Sequence, residues 1–232
     1  MYVQHNFIHP TKKKRKMRLP IFLASMVATT FMIPESASPE NPVSSCPINL
    51  DSPDYCNGTD YNATLANTYV CGDLRLGPVK LPAEVPLNSL LGGYDRFGGL
   101  CPGEFIGQWW NVSGKNWYYP PEAGFLLDSK KKPISGDVVV QKDALLDRFG
   151  FEGGTFVSLA GTPYTQRAIP PRNLNTFNPD IPSNYYRYRV KKSFSALAGP
   201  TAPWFGQAGM GLQYSLYSPV KDLIVDGFVE RI

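Results

Sequence analysis

The sequence is nearly devoid of histidine. Its two histidines, His5 and His9, lie at the very start of the chain, ahead of a basic and then apolar run of the kind that export removes. An exported chain would contain none, which excludes Ser-His-Asp triads, Cys-His dyads and histidine acid–base pairs. The chemistry that remains uses carboxylates, or positioning by arginine, glutamine, tyrosine and backbone amides.

Cysteine is scarce as well, with four in the chain: Cys46, Cys56, Cys71 and Cys101. No two of them form a CxxC pair, and no histidine is at hand to complete a zinc site, so we expect no metal site. An even number of cysteines in an exported chain favours two disulfides. Spacing alone leaves all three pairings open.

The first 34 residues differ in composition from the rest. A basic cluster at 12–18 runs into an apolar stretch at 19–33, which is the order of a secretory signal peptide. A nuclear localisation run and an uncleaved membrane anchor are the alternatives, but the apolar stretch is short for a span and is broken by polar residues. We predict a signal peptide over 1–34 and no stable membrane span after its cleavage.

Positive charge is also scarce once that leader is set aside. Six of the 23 lysines and arginines fall in it and no acidic residue does, which leaves 17 basic against 19 acidic residues. The formal charge of the exported chain is then near −2 rather than +4. A basic surface is absent, so we expect no nucleic-acid partner.

Three sequons are typical of an exported glycoprotein. They begin at Asn57, Asn62 and Asn111, and each is a weak signal by itself. Together with the leader and the paired cysteines they predict a secreted protein that is extracellular or held at the cell surface.

A chain of 232 residues, 43% of them hydrophobic, is long enough to bury a core. We divide the exported chain into a disulfide-stapled N-terminal subdomain at 35–136 and a core domain at 137–232. The predicted class is α+β, with a small, twisted, mainly antiparallel sheet and short helices. Strands are predicted at 138–141, 154–158, 184–194, 212–216 and 228–232, and helices at 104–110 and 219–225, the second capped by Ser218.

The most informative motifs follow one another in the second half of the chain. The first contains Asp147-Arg148-Phe149-Gly150, and the last ends in Gly211-Leu212-Gln213-Tyr214. The ordered set, with an upstream block at 68–73 and 100–102, resembles the tuberculosis necrotizing toxin domain and, more closely, the secreted fungal NAD glycohydrolases that share it. The segments lie at 146–156, 161–171, 186–190 and 202–214.

This resemblance implies an enzyme that cleaves the bond between nicotinamide and ribose in NAD or NADP, as substrate, with no cofactor. It assigns the catalytic roles to Arg148, which would grip phosphate, and Gln213, which would orient the ribose or the attacking water. It also places Phe156 near the nicotinamide. Arg167, which follows Gln166 in the second motif, is a candidate for supporting ligand binding, and capping a turn is the alternative. Relatives of this kind suggest a homodimer.

The resemblance further implies a disulfide pairing, Cys71 with Cys101 and Cys46 with Cys56. The sequence departs from the family at Leu212, where the family has threonine before the glutamine. If strand alternation holds, that side chain points away from Gln213 and the change affects packing more than chemistry.

Two other hypotheses about the function stay open. The first is a carbohydrate-active enzyme with a carboxylate pair drawn from Glu152 and Asp147 or Asp180. The second is a non-catalytic surface binding protein. Release of nicotinamide from NAD separates all three.

Overall fold

The computed structural model describes Cys46 and residues 54–232. The predicted signal peptide over 1–34, with both histidines, lies outside the described residues. Within the described part of the chain, no helix is both long and apolar enough to cross a membrane.

A seven-stranded sheet organises the second half of the chain, and every pair of neighbouring strands in it is antiparallel. The strands are β3 Gly136–Val140, β4 Leu145–Phe149, β5 Phe156–Leu159, β6 Tyr185–Val190, β7 Phe194–Pro200, β8 Leu212–Leu216 and β9 Val229–Arg231. They lie in the order β3-β7-β8-β5-β4-β6-β9, so β4, β5 and β8, which carry three of the four predicted site residues, are neighbours in the middle of the sheet.

One face of this sheet is apolar and forms the main core. Alternation along β6 sends Tyr188 and Val190 inward, where they are fully buried, and leaves Arg189 exposed, as the period-two pattern predicts. Leu146, from β4, packs in the same cluster. The helix α3, Val220–Val225, covers this face through Val220.

The chain before the sheet contains short elements. The hairpin of β1, Trp110–Asn111, and β2, Asn116–Trp117, follows directly on the helix α2. The helices are α1 Leu87–Leu90 and α2 Pro102–Trp109, and the 3₁₀ turns are Ala63–Leu65, Val70–Gly72, Leu74–Leu76, Glu122–Gly124, Tyr164–Gln166, Pro171–Leu174 and Pro182–Asn184.

An aromatic cluster holds this N-terminal part together. Phe105 of α2 is fully buried against Trp117 and Phe205, and the last of these comes from the segment between β7 and β8. The Nε1 atom of Trp204 donates to the carbonyl of Tyr118. The second half of the chain therefore contributes side chains to the core of the first half.

The predicted disulfide pairing is wrong. Cys46 is bonded to Cys101, with 5.1 Å between their Cα atoms, and Cys56 to Cys71, with 5.5 Å. The turn after Cys56 folds back on Cys71, since the amide of Asn62 donates to the Cys71 carbonyl, and this brings those two cysteines together. The pairing implied by the resemblance does not carry over to this chain.

The structure confirms the α+β class, with its mainly antiparallel sheet, short helices and disulfide-stapled N-terminal region. Two local predictions are wrong, and the strand β4 was not predicted at all. The region 184–194 holds β6 and the start of β7 rather than one strand. Pro219, not Ser218, is the N-cap of α3, and no side chain caps that helix.

Candidate active site

Arg148 lies near the end of β4, before a glycine-rich loop at 150–155 that we call the site loop. Its Nε atom donates to the carbonyl of Phe151 over 2.9 Å, and its Nη1 atom donates to the carbonyl of Phe156. A Cβ atom on Gly154 would lie 2.0 Å from the Nη2 atom of Arg148. Glycine at 154 therefore makes room for the guanidinium, which two carbonyls hold in place.

No carboxylate pairs with Arg148 among the residues that the structure describes. Burial lowers the pKa of its guanidinium, while Tyr188 and Glu152 act in the opposite direction. An arginine still keeps its charge at neutral pH. Arg148 thus carries a positive charge that none of the described acidic groups pairs with, which favours an anionic ligand.

Gln213 lies on β8, opposite Ser158 of β5. Its Nε2 atom donates to the carbonyl of Ala123 over 2.9 Å, and the side chain is half-buried. That single bond fixes the amide plane, so the Oε1 atom and the second N–H of Gln213 stay available for a ligand.

Strand register arranges three polar side chains in a row across the sheet. Asp147 of β4 pairs with Ser158, which pairs in turn with Gln213. Arg148 is the next residue along β4, so its Cβ atom lies on the opposite face of the sheet by strand alternation. Its guanidinium reaches the site loop and the start of β5, where it donates to the carbonyls of Phe151 and Phe156.

Arg167 is buried in an ion pair beside this row. Its Nη1 atom lies 2.7 Å from the Oδ1 atom of Asp147, and neither side chain is appreciably exposed. The Nε and Nη2 atoms of Arg167 donate to the carbonyl of Thr162 at 3.0 and 2.7 Å. Because its guanidinium is so fully engaged by the protein, Arg167 is arranged to support the site rather than to grip a ligand.

All four residues predicted for the site line one cleft, which we call the small cleft. It has about 340 Å³ of empty space, and its lining includes Arg148, Phe156, Arg167 and Gln213. Phe156 is 37% exposed. A cation, an amide and an aromatic ring thus share one concave surface.

A second cleft adjoins the first through Arg148, which lines both. This large cleft has about 690 Å³ of empty space, and its lining includes Phe151, Phe177 and Arg172. No role was predicted from the sequence for these three residues. Phe151 lies within the motif at 146–156 and Arg172 directly follows the motif at 161–171, and these positions were the available signals.

Glu152, a carboxylate considered for glycoside hydrolysis, is engaged in other contacts. Burial would raise its pKa, but hydrogen bonds from Arg231 and Tyr188 outweigh this effect and bring the pKa below its ordinary value. A general acid needs a raised pKa. The two other carboxylates considered are an ion-paired and buried Asp147 and an exposed Asp180.

Comparison with known proteins decides the family. A sequence model described as tuberculosis necrotizing toxin matches residues 139–232. The conidial surface nicotinamide adenine dinucleotide glycohydrolase nadA of Aspergillus fumigatus is 48% identical over 182 residues, which are 78% of this chain and 76% of that protein. The chain belongs to the tuberculosis necrotizing toxin family.

Two solved structures are similar to this chain at lower identity. Tuberculosis necrotizing toxin, complexed with its immunity factor IFT, is 16% identical, covers 73% of this chain and 83% of its own, and superposes with a TM-score of 0.43. Rhs1-CT, in complex with its cognate immunity protein RhsI1, is 13% identical, covers 45% of this chain and 83% of its own, and has a TM-score of 0.29.

The segment matched to the tuberculosis necrotizing toxin family contains all four predicted site residues. It also contains Leu212, where the chain departs from the family motif. Leu212 pairs with Pro200 and Gln213 with Gly199 in regular register, so the two side chains lie on opposite faces of β8 and the predicted alternation is confirmed. Within the described residues, no three metal-ligating side chains form a cluster.

Proposed function

We propose that this protein is a surface or secreted NAD glycohydrolase, which hydrolyses the bond between nicotinamide and ribose and yields nicotinamide and ADP-ribose. The observation that supports it most is the small cleft, whose lining includes Arg148, Gln213 and Phe156. The 48% identical relative carries the name of an NAD glycohydrolase, and its name states the same reaction class.

The reaction suits a site without histidine. The nicotinamide of NAD is a cationic pyridinium, so it departs as a neutral molecule and needs no proton from a general acid. The protein has to hold the phosphates, stabilise the ribose as it gains positive charge, and admit one water molecule. Arginine and glutamine can do this work, and neither changes its charge near neutral pH.

The roles we propose follow from the contacts. Arg148 binds a phosphate oxygen through its Nη2 atom, which lies against the backbone of Gly154. Gln213, fixed by Ala123, accepts a hydrogen bond from the ribose or the attacking water and donates another. Phe156 packs against the nicotinamide. Arg167 holds Asp147 and the Thr162 carbonyl in place beneath the cleft.

NAD, and in the same way NADP, is the substrate in this proposal, and no cofactor takes part. We also propose that the leader at 1–34 is removed on export and that Asn57, Asn62 and Asn111 are glycosylated. Asn57 and Asn62 are exposed and Asn111 is half-buried. A homodimer is the oligomeric state that relatives suggest, and light scattering on the exported protein would test it.

The direct test mixes the exported protein with NAD and follows nicotinamide and ADP-ribose together. We expect equal amounts of both, at a rate that is nearly flat from about pH 5.5 to 8.5, because no side chain in the proposed site has an ordinary pKa in that window. A bell-shaped profile centred near about pH 5 to 6 would point to a carboxylic acid as proton donor. Binding of NAD without nicotinamide release would support the non-catalytic alternative.

A further inference from the structure

The large cleft contains a second cation that no acidic group neutralises. Arg172 lies in the 3₁₀ turn Pro171–Leu174 and is half-buried, and no carboxylate pairs with it among the described residues. With Arg148 it makes two unpaired guanidinium groups on one concave surface. Two such groups are a favourable environment for a phosphate anion.

Both guanidinium groups line the large cleft together with Tyr119. Burial raises the pKa of the Tyr119 hydroxyl, and the positive charges of Arg172 and Arg148 lower it in part. An anion bound in this cleft would therefore be attracted by two positive charges.

Two exposed aromatic rings lie at the same cleft. Phe151 is 59% exposed and Phe177 is 39% exposed, and their ring centroids are 5.5 Å apart, at an angle of 32°. The exposed parts of the two rings form an aromatic platform in contact with water. Planar heterocycles stack on aromatic rings of this kind.

We propose that the large cleft binds the adenosine 5′-phosphate half of the dinucleotide, with the base on Phe151 and Phe177 and the phosphate between Arg148 and Arg172. The inference rests on the proposed function and adds the part of the substrate that the small cleft does not hold. Arg148 lines both clefts, so it stands where a pyrophosphate would join the two halves of the molecule.

The cleft favours a nucleotide over a purely apolar or purely anionic ligand. An apolar ligand would leave both guanidinium groups desolvated without a partner. A free phosphate would leave the aromatic platform uncovered. A planar base joined to a phosphate satisfies both features, and stacking of a base on an aromatic side chain adds affinity whatever the base.

The test compares substrates with and without the adenylate half. Phe177→Ala and Arg172→Met are measured with NAD and with nicotinamide mononucleotide, and Tyr61→Ala, an aromatic that is 60% exposed elsewhere, is the control. We expect each cleft variant to raise the KM for NAD about tenfold, on the scale of one lost stacking or charged contact. The kcat for NAD, and kcat/KM for nicotinamide mononucleotide, should stay within about twofold of wild type, since the reacting half is untouched.

An unchanged KM for NAD in both variants, with thermal unfolding like that of wild type, would overturn the proposal. So would equal losses with both substrates, because these would show a damaged site rather than a lost subsite. If wild type releases no nicotinamide from any substrate, the proposed function fails, and calorimetric titration with adenosine 5′-monophosphate then tests the cleft separately. We expect wild type and Tyr61→Ala to bind that nucleotide and Arg172→Met to bind it about tenfold more weakly.

Discussion

At the scale of single residues, Gly154 shows how the backbone can set the place of a functional side chain. A Cβ atom there would lie 2.0 Å from the Nη2 atom of Arg148 and 2.6 Å from its Cζ atom. The guanidinium would have to leave the two carbonyls that hold it. A Cβ atom added at the neighbouring Gly153 would have no atom within 4 Å. Gly153→Ala is therefore a matched control for Gly154→Ala.

Gly154→Ala should therefore lose activity while the fold survives. We expect kcat/KM for NAD to fall at least about tenfold, because a charge-assisted contact is displaced. The melting temperature should stay near that of wild type. Gly153→Ala should leave both quantities nearly unchanged. Equal activities in the two variants would mean that the position of Arg148 does not matter for turnover.

Asp147 shows at the same scale what the sequence could not reveal. It is fully buried in the middle of β4, although strand alternation alone would predict a surface aspartate at such a site. Its partners are Arg167, Tyr185 and the amide of Gly161, and all three are distant in sequence. Burial of a carboxylate costs too much free energy unless such partners are in place. No local sequence pattern predicts these partners.

At the scale of elements, the predictions that held are those with local causes. The alternation in β6 and the position of the motif glutamine on β8 were predicted, because period-two burial is visible as alternating apolar and polar residues in the sequence. β4 was missed because Asp147 and Arg148 break its apolar pattern. The division between β6 and β7 was missed because the intervening residues 191–193 do not include glycine or proline, the usual markers of a turn.

The ion pair between Asp147 and Arg167 joins β4 to the segment that begins after β5. Asp147→Asn keeps the shape but leaves the Arg167 guanidinium buried without a counter-charge. We expect a loss of about 3 to 5 kcal/mol in the free energy of unfolding, measured by chemical denaturation, and lower turnover because Arg167 lines the small cleft.

The matched control is Asp180→Asn at an exposed position, which should change stability by less than about 0.5 kcal/mol. It also addresses the glycosidase alternative, which counted Asp180 among its carboxylates. If Asp147→Asn were as stable as Asp180→Asn, the buried pair would have no structural role.

At the scale of the whole molecule, the end of the chain is fastened to the site loop. Arg231, the penultimate residue, donates through its Nε atom to Glu152 over 2.8 Å, and Tyr188 donates to the same carboxylate over 3.0 Å. The backbone carbonyl of Glu152 accepts from Lys221 at the start of α3. The site loop, which carries the Phe151 acceptor of Arg148, thus depends on the last strand and the last helix.

The hydrogen bonds of Arg231 and Tyr188 to Glu152 make stability depend on pH in a defined direction. Hydrogen bonds from Arg231 and Tyr188 outweigh burial and lower the pKa of Glu152 in the folded state. Its stabilising effect is therefore complete above the unfolded pKa of about 4.3 and is lost as the pH falls through the lower, folded pKa. Wild type should lose stability as the pH drops below about 4.3, and Glu152→Gln, less stable at pH 7, should show a shallower loss.

The control for this prediction is Glu230→Gln, on the strand β9 that carries Arg231. Glu230 pairs with Lys191 at 3.1 Å, but both side chains are nearly half exposed, so the pair contributes little. Chemical denaturation at a series of pH values from 7 to 3 measures all three proteins. Parallel curves for wild type and Glu152→Gln would show that another group governs the acid loss.

The whole-molecule prediction that failed is the disulfide pairing. The order of the cysteines allowed three pairings, and the one taken from the resemblance is not the one formed. Which cysteines meet depends on how the segment before Cys71 folds back, and that is a tertiary property. The shared cleft of Arg148, Phe156 and Gln213 depends less on such folding back, because these three residues lie on neighbouring strands of one sheet.

The measurement that tests the central claim most directly is nicotinamide release by Gln213→Ala at saturating NAD. Gln141→Ala, at an exposed glutamine outside both clefts, is the matched control. We predict that kcat falls by about 30- to 1,000-fold in the first variant, the scale of a lost transition-state contact, with little change in KM. The second variant should turn over NAD like wild type. A folded Gln213→Ala protein with wild-type kcat would contradict the account.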